Sequence, residues 1–178
     1  STANKSEKWI LKNQYKIFIV IAAVSISVLS YLGYERFISD PKEKEAVSEL
    51  NKAQYFFELA LVSNKSDSLF KLALNGGEGK YGFLDIVNEY PGTKAANLAN
   101  YSIGMSYLNL KQYDNAILFL EKFKSNDILL QSISLGTIGD CFSELNQPNE
   151  AFDYYQRAFK QNENIYTTPK YLFKAALI

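Results

Sequence analysis

The chain has 178 residues in which 19 lysines and arginines balance 19 aspartates and glutamates, and this neutrality argues against nucleic-acid binding, which needs a basic surface to neutralise phosphates. It contains no histidine and one cysteine, Cys141, which excludes Ser-His and Cys-His catalysis, His-ligated metals and an internal disulfide. An apolar share of 47% and an aromatic share of 15% suit one cored domain with an appendage, an all-α interaction protein with no catalytic residues, cofactor or metal site.

Residues 1–16 form a basic tail, with Lys5, Lys8, Lys12 and Lys16 opposed by Glu7 alone. From Ile17 to Tyr34 no charged residue occurs. At about 1.5 Å per residue that stretch spans roughly 27 Å, close to the bilayer core of about 30 Å. Tyr15, Tyr31 and Tyr34 fall where aromatic rings favour the membrane boundary, and Trp9 lies further out, toward the headgroups. Ser25, Ser27 and Ser30 are tolerated because a helical hydroxyl can bond back to the preceding turn. A transmembrane helix in contact with lipid is therefore expected over 17–34. The competing readings fit less well: a cleaved signal peptide has a shorter flank and an A-x-A site, and a buried helix shows a polar stripe. Behind the span the flank is more acidic (Glu35, Arg36, Asp40, Lys42, Glu43, Lys44, Glu45). The positive-inside rule then puts the N-terminus in the cytoplasm and the remainder across the membrane; in a bacterium, a single-pass inner-membrane protein with a periplasmic domain.

Residues 35–96 read as a linker helix and an irregular first repeat. Asp40-Pro41-Lys42-Glu43 has the pattern of a helix start, with a capping acceptor, proline at the first helical position and glutamate at the third. Val47, Leu50, Ala53, Phe57 and Leu61 mark an apolar helix face. A polar turn at 63–66 and an apolar segment over 69–74 follow. The run Asn75-Gly76-Gly77-Glu78-Gly79-Lys80 lacks P-loop spacing and has Tyr81 where Ser or Thr is needed, so it predicts a turn between helices. Phe83–Tyr90 reads as the second helix of that repeat, closed by Pro91-Gly92-Thr93.

Beyond this point the chain repeats itself. Gly104 and Gly139 are 35 residues apart, as are Ala116 and Ala151. Such a period marks stacked helix–turn–helix units, expected at 97–131 and 132–166, with a further unit beginning at 169–178. Ile103-Gly104…Tyr107 with Ala116, Leu120 and Phe123 resembles the tetratricopeptide pattern, as does Ile138-Gly139…Phe142 with Ala151, Tyr155 and Ala158. The tryptophan near each repeat start and the proline that closes it are missing from both units. The small residues let two helices approach while the aromatics fill the space beside them. The resemblance implies a tetratricopeptide solenoid. The segment Tyr171–Leu177 then reads as a first helix without its second, leaving an apolar face for a partner or for residues beyond Ile178.

Members of that family line a concave groove with their first helices. Aligned on the glycines, the groove positions are Leu98, Tyr101, Met105, Leu108 and Asn109, then Ile133, Gly136, Asp140, Ser143 and Glu144. Members that grip C-terminal carboxylates use Lys, Arg and Asn there; Tyr101, Met105 and Asp140 argue against such a clamp. An apolar groove suits a partner helix or an unfolded segment. Cys141 has no histidine or local cation to activate it and is expected to be a core residue. Asp140 and Glu144 share a helix face, which reads as a solvated or ligand-facing surface.

A basic tail, one span and an exported repeat domain together resemble the YfgM-like ancillary subunit family of the SecYEG translocon. The runs Gly82-Phe-Leu-Asp-Ile-Val and Tyr90-Pro-Gly-Thr-Lys-Ala-Ala resemble its Bacteroidota form. That resemblance implies partnership with SecYEG subunits, with a membrane-anchored periplasmic chaperone of prolyl-isomerase type and with exported polypeptides. An envelope-assembly scaffold is the alternative, although the lipoproteins of that class carry a lipidated cysteine after the signal and Cys141 lies deep in the domain. An organellar outer-membrane receptor would keep its repeats in the cytosol, against the charge asymmetry.

Overall fold

The computed structural model describes residues 2–77, 79–161 and 163–178, with side chains from residue 7 onward; the Lys5 side chain and Glu78, both used above, lie outside the described residues. The chain divides into two compact units, 1–42 and 43–178.

The first unit is helical. It comprises α1 (Thr2–Tyr34), a π-helical segment (Glu35–Ser39) and the start of α2 (Asp40–Val62). The expected helix start at Asp40 is not what forms. Asp40 has helical angles (φ −60°, ψ −47°), and its N–H donates to the Glu35 carbonyl, five residues back. Pro41 supplies the reason: it has no N–H to donate, and its ring would crowd a carbonyl held in ordinary α register. A wider π turn just before it accommodates both, so the helical conformation continues through the proline. An 18-residue window of the stretch Glu7–Val62 has a mean hydropathy of 2.2 with none of it buried in the protein. Length and composition make it an apolar helix able to cross a membrane. Within it the Ser27 hydroxyl donates to the Ala23 carbonyl at 2.9 Å, removing the cost of an unpaired hydroxyl in an apolar setting.

In the second unit, the rest of α2 is followed by α3 (Ser66–Asn75), α4 (Phe83–Glu89) and α5 (Lys94–Asn109). Helix α2 buries Ala46, Leu50, Ala53, Phe57 and Ala60. Val47 and Leu61, expected on that face, are exposed. Alanines at positions 46, 53 and 60 allow close helix approach, so the buried stripe is phased on them rather than on the larger side chains nearby. Phe57 stands edge-on to Phe70 and Phe83, with centroids 5.6 and 6.1 Å apart, which joins α2, α3 and α4 in one core.

Glu43 does not close a capping box on its own helix. Its carboxylate accepts from the N–H groups of Lys94 (2.7 Å) and Ala95 (3.0 Å), and the Thr93 hydroxyl accepts from Ala96 N–H (3.0 Å). Three orphan donors at the start of α5 are thereby satisfied, two of them by a residue 51 or 52 positions away. The glycine run forms the expected turn: Gly77 and Lys80 exchange backbone hydrogen bonds (3.2 and 3.0 Å), and Gly76 adopts φ +70°.

Among the described residues, four further helices follow in this unit: α6 (Tyr113–Lys122), α7 (Ile128–Glu144), α8 (Pro148–Gln161) and α9 (Thr167–Ala176). Helices α5 with α6 and α7 with α8 form two hairpins that repeat at the level of single hydrogen bonds. Lys111 and Asn146 both have φ +58° at the hairpin turn. Gln112 N–H donates to the Tyr107 carbonyl and Gln147 N–H to the Phe142 carbonyl, each at 2.9 Å. A left-handed residue followed by such a long-range bond satisfies the last carbonyls of a helix. Because α7 begins at Ile128, the boundary expected between 131 and 132 falls inside its first turns.

Candidate protein-binding surface

Of the groove positions read from sequence, α5 carries Leu98, Tyr101, Met105, Leu108 and Asn109, and α7 carries Asp140, Ser143 and Glu144. Asn109, Ser143 and Glu144 are exposed, Leu98 is 39% exposed, and Tyr101, Met105, Leu108 and Asp140 are half-buried. The tyrosine ring at 101 lies 5.2 Å from the Phe123 ring, and burial raises the pKa of its phenol. Met105 packs on the core of the preceding helices. Asn109 turns its amide onto the Met105 carbonyl (2.8 Å), and Glu144 accepts from the Tyr113 hydroxyl (3.2 Å).

Asp140 has intramolecular partners. Its Oδ1 accepts from the Tyr155 hydroxyl at 2.7 Å and from Lys174 Nζ at 2.5 Å. Lys174 lies on α9, and Tyr155 stacks with Tyr171 of the same helix, centroids 6.3 Å apart. The ring of Tyr171 covers Gly136, so that this position, expected in the groove, is buried. Tyr101, Gly136 and Tyr171 are spaced by 35 residues, and the missing side chain of the middle one makes room for the ring of the last. The sequence pattern does not single out Lys174, and it marks Tyr155 as a packing residue of the repeat rather than as a partner of Asp140. The separation of 34 residues between Asp140 and Lys174, close to one repeat period, is the signal that would have paired them.

Cys141 is fully buried, and its thiol is pushed up to about 12 by that burial, with Asp140 adding to the effect. A thiol so far above neutral pH is no nucleophile. It fills space as a small apolar side chain.

The helices that carry these residues are the ones that comparison with known proteins identifies. The model of the tetratricopeptide repeat family matches residues 99–127 and 133–165, the two hairpins α5–α6 and α7–α8. These repeats imply a protein–protein interaction module, and the N-terminal apolar helix is long and apolar enough to cross a membrane. No curated protein shows a significant match to it.

Proposed function

We propose that the chain is a membrane-anchored protein-binding module without catalysis of its own, an ancillary subunit of the SecYEG translocon. In this reading α1 spans the inner membrane, the tail before it is cytoplasmic, and the repeats stack as a short solenoid in the periplasm. There they receive exported polypeptides together with a membrane-anchored chaperone of prolyl-isomerase type. One observation carries the reading: an unburied apolar helix, preceded by Lys8, Lys12 and Lys16, stands in the same chain as two tetratricopeptide hairpins. The α5 face bearing Leu98, Tyr101, Met105 and Leu108 offers the apolar contacts that a helix or unfolded segment needs.

Two experiments test it. In a Cys141→Ser background, a cysteine replacing Thr2 is expected to be shielded from a membrane-impermeant thiol reagent in intact cells. A cysteine replacing Ser125 is expected to react once the reagent enters the periplasm. The opposite pattern would refute the orientation. Affinity purification of the full chain in mild detergent is expected to co-elute SecYEG subunits; co-elution with outer-membrane assembly factors alone would favour an envelope-assembly scaffold.

A further inference from the structure

The loop between α6 and α7, the first turns of α7 and the end of α8 enclose a cavity of about 800 Å³. None of the expected groove residues lines it. Its charged side chains are Lys124, Arg157 and Lys160, and no carboxylate lines it. Among the described residues none of these three cations has an ion-pair partner within 4.0 Å. Glu121 lines an adjoining cavity of about 210 Å³. Glu121 accepts from the Tyr154 hydroxyl at 2.5 Å, and Arg157 lies over the Tyr154 ring, 4.4 Å from its centroid. The same tyrosine therefore contacts both groups. The lining itself, three cations and no carboxylate, is positively charged.

Its floor is built rather than incidental. Gln131 is only 9% exposed, and its Oε1 accepts from Ser125 N–H at 2.7 Å. That bond leaves the amide nitrogen with two donors and no partner among the described residues, at the cavity wall. The loop above is held in place: Asn97 bonds both the N–H (3.0 Å) and the carbonyl (2.7 Å) of Lys124, and the Ser125 hydroxyl accepts from Asp127 N–H (3.0 Å). The Gln131 amide nitrogen, reached by solvent at the cavity wall, and three cations without a carboxylate partner among the described residues face the same space. Together they are complementary to an anionic acceptor.

We infer that this cavity binds an acidic, extended segment of a partner polypeptide. Carboxylates would pair with Arg157, Lys124 and Lys160, and the Gln131 amide would donate to a carboxylate or backbone carbonyl. Size selects a peptide over a free anion, because the cavity is many times larger than one phosphate and is open along one side. The side-chain amides of Gln156 and Gln161 also line it and can both donate to and accept from a peptide backbone. The inference does not rest on the translocon reading, and its failure would leave that reading standing.

The test uses the full chain in detergent and a fluorescein-labelled hexaglutamate peptide, with hexaglutamine as the neutral probe. Hexaglutamate is expected to bind and to weaken steeply as salt is raised, while hexaglutamine does not bind. Arg157→Gln with Lys160→Gln is expected to weaken binding by about tenfold or more. Lys160→Glu serves as the second variant: its side chain is exposed, so loss of binding there cannot be assigned to unfolding. Equal binding of both peptides, or unchanged binding by Lys160→Glu, would overturn the inference. So would displacement of the peptide by inorganic phosphate at equal concentration, or binding to anionic-lipid nanodiscs but not to hexaglutamate.

Discussion

A methyl group on Gly139 would stand 2.7 Å from the ring of Tyr155 and 3.2 Å from the carbonyl oxygen of Ala151. Real side chains do not tolerate the first distance, and Ala151 is backbone at that point and cannot swing aside. Gly104 meets Leu120 and the Ala116 carbonyl in the same way, one period earlier. Gly139→Ala is therefore expected to destabilise the repeat domain by about 1–3 kcal/mol, and Gly139→Leu by more. Denaturant melts of the full chain in detergent, followed by circular dichroism, measure it. An unchanged midpoint would mean that α7 and α8 do not approach here.

The Glu43 carboxylate, by contrast, acts across sequence rather than within a repeat. Its two bonds to the first turn of α5 place a negative charge at the positive end of that helix. Glu43→Gln is expected to cost about 1 kcal/mol, the usual scale for losing a capping interaction. Amide exchange at Lys94 and Ala95 should accelerate in the variant more than exchange at the start of α7, where Asp127 caps its own helix. Equal acceleration at both would point to a global loss instead.

This contrast shows what sequence could reveal. Gly104, Ala116, Gly139 and Ala151 were legible because close helix approach needs small residues at fixed spacing, and that spacing repeats. The Phe83–Glu89 helix and the Pro91-Gly92 turn were legible for a similar, local reason. Glu43 was assigned to its own helix because capping patterns are read over four residues, whereas its partners lie half a domain away. The π segment before Pro41 was missed because a proline reads as a helix start, and register shifts leave no periodic mark. Gly136 was placed in the groove by alignment, but alignment does not show a neighbouring ring such as that of Tyr171 moving over a position without a side chain.

Tyr155 gives a pH dependence with a definite sign. Its phenol is raised above the usual value of 10.0, first by burial and then by its hydrogen bond to Asp140. The neutral form is favoured in the folded chain, so this stability is complete below the unfolded value of 10.0. It falls as pH rises from there through the higher folded value, because the unfolded chain loses its proton first. Tyr155→Phe removes the bond to Asp140 and is expected to cost about 1 kcal/mol at neutral pH. It should also make the alkaline loss of stability shallower, with the remainder due to the other groups that burial raises, Tyr171, Tyr90, Tyr101 and Cys141 among them. An alkaline slope identical to that of the unaltered chain would place the titrating group elsewhere.

The α5 face yields a binding prediction. Tyr101 and Met105 lie one turn apart, and Leu98 lies three residues before Tyr101, so all three project from one side of the helix. Large apolar anchors dominate interfaces of this kind, and replacing Tyr101 and Met105 together by serine is expected to weaken capture of a partner by roughly 2–4 kcal/mol. Tyr101 also packs against Phe123, so the double variant should melt earlier as well, and weaker capture alone would be ambiguous. Leu98→Ser separates the two effects, since Leu98 is 39% exposed and its loss should leave the melting midpoint in place while reducing capture. Under the proposed function, capture is measured by pull-down of SecYEG and chaperone subunits at equal expression. If Leu98→Ser and the double variant both recover the full complement of partners, the contact lies off the α5 face. The exposed side of α9 at Leu172 and Phe173 would then be the next surface to alter, with pull-down again as the measurement.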